Sequence, residues 1–281
     1  MCYNSTMRAT DKENYFINRI SNSYIGDDAA VVGEYIYSSD AFCEGSHFLR
    51  EWMTPYQIGR KAMLVNISDA VAMNAKPLYC LISVSIPRDM EQNDIDQLVD
   101  GLKDTSMEFD CKIVGGDTVG SDRLNISITV ISKSSNPLYR KGLKEGDLLA
   151  YTGELGESKR DLELLQSGLK ISMDSKFYEP RLRVDFITRT REYLNAGMDI
   201  SDGLFCDTNK LLDINGYGLE ILKNIDDYMG FSGEEYEMLI SFNKNNKNRV
   251  EEIAEEMNIK LNIFAKVSKN SFRFNCLSHH F

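Results

Sequence analysis

Residues 55–87 read PYQIGRKAMLVNISDAVAMNAKPLYCLISVSIP, and this stretch decides the fold class. Ile58, Ala62, Val65, Ile67 and Ala72 recur at mixed three- and four-residue spacing, which predicts a long helix over Pro55–Ala75. Asn66 and Asp69 are three apart, so that helix presents them as neighbours on one side. Leu78–Ile86 has strand character, and Pro87 stops it. A helix feeding a strand makes the expected class α/β.

The same alternation extends outward in both directions. Asp94–Phe109 reads as an acidic amphipathic helix, followed by a short strand Lys112–Val114 that runs into Gly115-Gly116-Asp117. Leu124–Ser132 alternates apolar and polar residues as a half-buried strand does. Upstream, residues 11–20 predict a short helix, and Ala30–Val32 with Tyr35–Ser39 predict a hairpin around Gly33-Glu34. Asn136-Pro137 marks a break, after which a second α/β pattern begins. Its strands are expected at Leu148–Thr152, Ala196–Ile200, Gly218–Ile221, Leu239–Phe242 and Ile263–Val267. Its helices are expected at Lys159–Ser167, Arg181–Tyr193, Leu204–Asn215 and Asn248–Met257. Two α/β domains, 1–136 and 137–281, are the expected organisation.

Composition narrows the function. A formal charge of −11 argues against a nucleic-acid surface, which needs clustered Lys and Arg to neutralise phosphates. No stretch approaches the ~20 apolar residues of a membrane span, and Met1–Thr10 lacks an apolar signal-peptide core. The six cysteines are scattered with no Cys-x-x-Cys, which suits reduced, partly buried thiols and makes the cytoplasm the default expectation.

Aspartates recur where elements end: Gly26-Asp27-Asp28, Ser38-Ser39-Asp40, Asn66-Ile67-Ser68-Asp69, Gly115-Gly116-Asp117-Thr118 and Asp199-Ile200-Ser201-Asp202-Gly203. Each alone reads equally as an Asx turn or helix cap. Together, seven carboxylates gather in one place only around cations, and Mg²⁺ with phosphate oxygens is the natural partner. Gly115-Gly116 allows backbone amides to approach phosphate closely, although a simple strand-end turn explains it as well. The chain has no Walker A loop, no G-x-G-x-x-G fingerprint, no kinase H-R-D set and no nucleophile–base dyad. His47 lies near the Asp40 turn, from which it can donate to a substrate phosphate. Arg140 and Lys141 read either as contacts for a phosphate tail or as a solvated pair. Gly233-Glu234-Glu235-Tyr236 reads as an exposed acidic run or as a carboxylate source for a cleft.

The order and wording of seven segments resemble the thiamine-monophosphate kinase family, within the aminoimidazole-ribonucleotide-synthetase-like superfamily. They are IGDDAAVV (25–32), SSDAFCEGSHF (38–48), the stretch 58–87, VGGDTVGS (114–121), GDLLAYTGELGES (146–158), MDISDGL (198–204) and GEEYEMLIS (233–241). The resemblance implies a two-domain PurM-like fold of the α/β (α+β) kind. In it the N-terminal sheet pairs across a homodimer and a C-terminal α/β domain covers the cleft. It implies an enzyme of thiamine biosynthesis that transfers phosphate from ATP to thiamine monophosphate with several Mg²⁺ ions.

Carried over by position, Asp27, Asp28, Ser38, Ser39, Asp40, Asp69, Asp117, Asp199 and Asp202 would hold metal. Gly116, Asp117, Arg140 and Ser201 would contact ATP, and His47, Glu234 and Glu235 would face thiamine monophosphate. Asp40, Asp117 and Arg140 would carry catalysis. The acceptor is an ionised phosphate, so no general base is expected. Three differences fall on the acceptor side: Glu235 stands where the family usually has Asp, Leu277–Phe281 lacks the Trp of many members, and the chain is short between Tyr217 and Gly233 for a typical member. The rival expectations are another ATP-using enzyme of the superfamily with a different acceptor, and a non-catalytic nucleotide-binding protein.

Overall fold

Thr54 fixes where the central helix begins. Its hydroxyl accepts from the Gln57 amide at 3.2 Å while Gln57 Oε1 accepts from the Thr54 amide at 2.9 Å, a reciprocal cap with Pro55 in the first turn. The helix α2 (Pro55–Ala72) is preceded by α1 (Ala9–Ile20), β1 (Ala30–Val32) and β2 (Tyr35–Cys43). It is followed by β3 (Lys76–Pro87), α3 (Gln92–Glu108), β4 (Lys112–Ser121) and β5 (Asn125–Lys133). These coordinates are a computed structural model describing residues 9–276, with side chains from Tyr15 onward. The readings made for Met1–Thr10, Cys2 and Leu277–Phe281 lie largely or wholly outside that description.

The first sheet has the order β1-β2-β5-β3-β4. All its pairs are antiparallel except β3–β4, whose parallel register is made possible by the α3 crossover. Helix α2 is buried nearly all round, polar Lys61, Asn66 and Ser68 included: it packs on β2 and β5, on α3, and on β7 (Leu194–Asp199) of the second half. Its closest approach is to α3. A Cβ on Gly59 would stand 2.3 Å from the Leu98 carbonyl oxygen, and one on Gly101 would stand 2.1 Å from that of Tyr56. Only paired glycines permit this backbone contact.

The second half runs β6 (Leu148–Thr152), α4 (Glu157–Gln166), α5 (Val184–Thr190), β7, α6 (Leu204–Asn215) and β8 (Gly218–Ile221). It ends with α7 (Asp227–Gly230), β9 (Met238–Phe242), α8 (Lys247–Glu256) and β10 (Leu261–Ser268). Its sheet, ordered β7-β9-β6-β10-β8, is antiparallel throughout. Residues 167–183 carry no helix or strand, yet Phe177 and Tyr178 are buried in the core of the first sheet. The Tyr178 hydroxyl donates to the Trp52 carbonyl at 3.0 Å.

Two expectations need correction. Gly115-Gly116-Asp117 is not a turn after a short strand; β4 continues through it, paired with Leu81–Ser83 of β3. At Gly116 (φ 152°) a Cβ would lie 1.7 Å from the Ile82 carbonyl oxygen, so glycine is what lets the two strands close there. The cysteines are not all reduced thiols either: Cys206 and Cys276 form a disulfide, with Cα atoms 5.1 Å apart. A separation of 70 residues along the chain hid that proximity. Among the described residues, no helix is long and apolar enough to cross a membrane.

Candidate active site

A cavity of about 840 Å³ lies where the ends of β2 and β7 meet the C-terminal half of α2. Asp40 reaches it from β2, its backbone amide tied at 2.9 Å to Asn66 Oδ1 on α2. Asn66 in turn donates to the Ala62 carbonyl, so it is locked in the buried helix. Asp69 arrives one turn further along α2, and Asp199 from the last residue of β7. Ser68 Oγ donates to Asp199 Oδ2 at 2.5 Å, which joins the two elements directly. Asp27 and Asp28 enter from the segment before β1.

Oxygens of Asp28, Asp69 and Asp199 all lie within 4.8 Å of one another. Arg140 answers part of this charge: its Nε donates to Asp28 Oδ1 at 3.0 Å, a second nitrogen bonds the same oxygen, and its backbone amide donates to Asp27 Oδ1 at 2.7 Å. Asp28 Oδ2 is buried and has no hydrogen-bond partner among the described residues. An orphaned carboxylate oxygen costs the full desolvation of that atom unless a cation meets it. Burial raises the Asp28 carboxyl to about 6 despite the pull of Arg140. Burial, with Asp28 adding repulsion, raises Asp199 to about 7, and burial with Asp40 raises Asp69 well above its ordinary range. Three hard oxygen donors that resist ionising together, one of them unpartnered, fit a divalent oxygen-seeking cation such as Mg²⁺.

Ser201, Asp202, Glu234 and His47 line the same cavity. The Cys43 amide donates to His47 Nδ1 at 3.0 Å, so the neutral ring carries its proton on Nε2. Glu234 adopts φ 54° and its amide donates to the Ser201 carbonyl at 2.7 Å. A non-glycine residue in the left-handed region stores strain that the surroundings must hold.

Thus Asp27, Asp28, Asp40, His47, Asp69, Arg140, Asp199, Ser201, Asp202 and Glu234 share one cavity. Five expected members do not line it. Ser38 is buried on the same face of β2 as Asp40 but beneath it. Ser39 points to the opposite face, where its hydroxyl meets Thr129 Oγ1 at 3.0 Å. Gly116 and Asp117 are on the edge strand β4, three strands from Asp40, or ~14 Å at ordinary strand spacing. The Asp117 side chain lies on the outer sheet face beside Ser83 and Ser127. Glu235 turns inward: it is 1% exposed and accepts from the Gly156 and Ser158 amides and from Ser232 Oγ, so it caps α4.

Four participants escaped the sequence reading. Lys61 is 0% exposed and bonds Glu234 Oε2 at 2.7 Å. Its signal was a cation, next to Arg60, directly opening the apolar run Ala62-Met63-Leu64-Val65. Ser68 holds Asp199, as above. Asp207 and Lys210, three apart on α6, pair at 2.9 Å, and Lys210 also bonds Asp202. Burial opposes the Lys210 charge, but Asp207 and Asp202 outweigh it and raise its pKa. Burial likewise raises Asp207, to about 6.

Comparison with known proteins agrees with this geometry. Residues 26–133 match the family model for the AIR synthase related protein N-terminal domain. The thiamine-monophosphate kinase of Aquifex aeolicus is 32% identical over 254 residues, covering 80% of this chain and 82% of its own. That of Methanocaldococcus jannaschii is 32% identical, covering 79% and 81%. A solved structure of AaThiL complexed with AMPPCP and TMP superposes with a TM-score of 0.84 at 28% identity, covering 95% of this chain and 92% of its own. The hydrogenase maturation protein HypE shares the fold, with a TM-score of 0.71 at 14% identity.

Proposed function

The chain belongs to the thiamine-monophosphate kinase family, and from that premise we propose that it phosphorylates thiamine monophosphate with ATP, giving thiamine diphosphate and ADP. The observation that carries the reading is the trio Asp28, Asp69 and Asp199, with a buried oxygen unpartnered among the described residues, in a cavity that His47 and Glu234 also line. Asp28, Asp69 and Asp199, with Asp27, Asp40 and Asp202 around them, are the residues that would hold Mg²⁺. When bound, Mg²⁺ supplies charge neutralisation for the phosphate oxygens.

The chain's own contribution is alignment. Arg140 is fixed by Asp27 and Asp28 at the edge of the trio, where a guanidinium offsets charge on a transferring phosphoryl group. Ser201 faces the same space and offers a hydroxyl to the nucleotide. His47 Nε2–H is the donor for the acceptor's phosphate, and the Glu234 carboxylate is the counter-charge for its thiazolium cation. The acceptor phosphate is ionised near neutral pH, so the absence of a base–nucleophile dyad costs nothing and positioning does the catalysis.

The working form is a homodimer paired through the N-terminal sheet. Tyr37, Tyr79, Leu81 and Val119 are exposed on its outer face, and β4 has a free edge, both costly to leave in water. Ser39, Gly116 and Asp117 sit on that face or edge. Their roles at metal and nucleotide therefore require the partner subunit.

The test is direct: purified protein, Mg-ATP and thiamine monophosphate, with thiamine diphosphate as the measured product and unphosphorylated thiamine as control. Asp69→Asn and Asp199→Asn should each lower kcat on the order of 10²–10³-fold while the protein stays folded. Full activity in both variants removes the metal reading; no turnover of thiamine monophosphate by the wild type removes the acceptor.

A further inference from the structure

Lys61 is a buried ammonium that the reaction as described leaves without a task. It sits on α2, 0% exposed, with Nζ 2.7 Å from Glu234 Oε2. Its remaining surroundings are aromatic: Nζ stands 4.1 Å from the centroid of the Phe177 ring and 5.6 Å from that of Phe42. Removing an ammonium from water is expensive, and two ring faces with a single carboxylate compensate it only while that carboxylate stays in place. Whatever holds Lys61 therefore holds Glu234. The bond also crosses the molecule, from the central helix of the first half to the turn that precedes β9 in the second.

Glu234 is the end of this contact that meets the cavity. Its side chain is 21% exposed and lines the cavity that contains Asp40, Asp69 and Asp199. Lys61 takes Oε2, and no hydrogen bond within the described residues takes Oε1.

We propose that Lys61 is the positioning residue of the acceptor end: its 2.7 Å contact holds the Glu234 side chain in place on its left-handed backbone, so that Oε1 faces the cationic ring of the incoming acceptor. The assignment rests on the acceptor-side reading of Glu234 given above. Lys61 touches neither substrate and acts only through Glu234. The specificity it confers is for a phosphate ester that also carries a positive charge.

Three variants test this: Lys61→Met, Glu234→Gln and the double variant. Steady-state constants are measured for thiamine monophosphate and for Mg-ATP separately, with melting temperature recorded alongside. Lys61→Met is expected to raise KM for thiamine monophosphate about tenfold or more, with KM for Mg-ATP changed less than about twofold, because only one substrate's binding is lost. Glu234→Gln should do the same. The double variant should be no worse than either alone, since two changes to one pair are not additive. It also leaves no unpaired buried charge, so it keeps the test alive if Lys61→Met fails to fold.

A Lys61→Met enzyme that loses melting temperature and active fraction with both KM values unchanged makes Lys61 merely structural and overturns the proposal. Additive losses in the double variant do the same. If Glu234→Gln leaves KM for thiamine monophosphate unchanged, the acceptor-side reading itself fails, whatever Lys61 does.

Discussion

Asp199 shows how a single carboxyl senses its surroundings. Its ordinary value is 3.8, and burial with repulsion from Asp28 raises it to about 7 in the folded protein. Between those values the folded state binds the proton more tightly than the unfolded chain does. The stability this group contributes is therefore complete below about 4 and lost as pH rises through about 7. Asp199→Asn cannot titrate there. In metal-free buffer, the stability of the wild type relative to Asp199→Asn should fall as pH is raised from about 4 to about 8. A difference that stays flat would contradict the burial of this carboxyl. Glu235 makes the complementary case. It caps α4 and meets Lys176 at 3.5 Å, so Glu235→Ala should cost about 2–4 kcal/mol of stability. KM for thiamine monophosphate should hardly move, which kinetics beside a denaturant titration will show. From sequence, Glu234 and Glu235 were indistinguishable. Which of two adjacent carboxylates faces a cavity depends on a left-handed turn, and no periodicity encodes that.

Elements were far more legible than side-chain directions. Helix α6 and strands β6 and β8 fall where their patterns put them, because turn residues bound them: Gly203 before α6, Gly216-Tyr217 between α6 and β8. Asp27, Asp28, Asp40, Asp69 and Asp199 were legible as a group, since carboxylates recurring beside Gly and Ser have few other reasons to do so, although Asp40 and Asp69 lie inside β2 and α2 rather than at their ends. Asp117 was legible as a residue but not as a location. Its strand runs through a glycine pair that reads as a turn, and only the contact with Ile82 explains why it does not. The contact between α2 and α3 was equally invisible, being a match between two glycines 42 positions apart along the chain (59 and 101). Gly101→Ala should lower stability by about 1–3 kcal/mol or more, because its methyl group meets backbone rather than a movable side chain. Thermal unfolding measures it, and an unchanged midpoint would mean the helices can separate freely.

At the scale of the whole molecule, the proposed dimer would link association and chemistry through the first sheet. If the outer face pairs with a second copy, Leu81→Asp should give a monomer in analytical ultracentrifugation. It should also lower kcat sharply although Leu81 touches no substrate, because Ser39 and Asp117 lose their setting. A fully active monomer would refute the need for a partner. The expected division at Asn136 is drawn by sequence alone, and the loop of residues 167–183 bears on it. Lys176 and Arg183 on that loop both clasp Glu237 of the second half, at 2.9 and 2.6 Å, while the intervening Phe177 and Tyr178 sit in the hydrophobic interior of the first. The loop thus works like a tongue in a groove. Residues 1–136 produced alone would have an interior missing three rings, those of Phe177, Tyr178 and Tyr236. Such a fragment should bind the dye ANS and show poor near-ultraviolet dichroism, and adding 137–281 as a separate chain should restore order by refilling the gap.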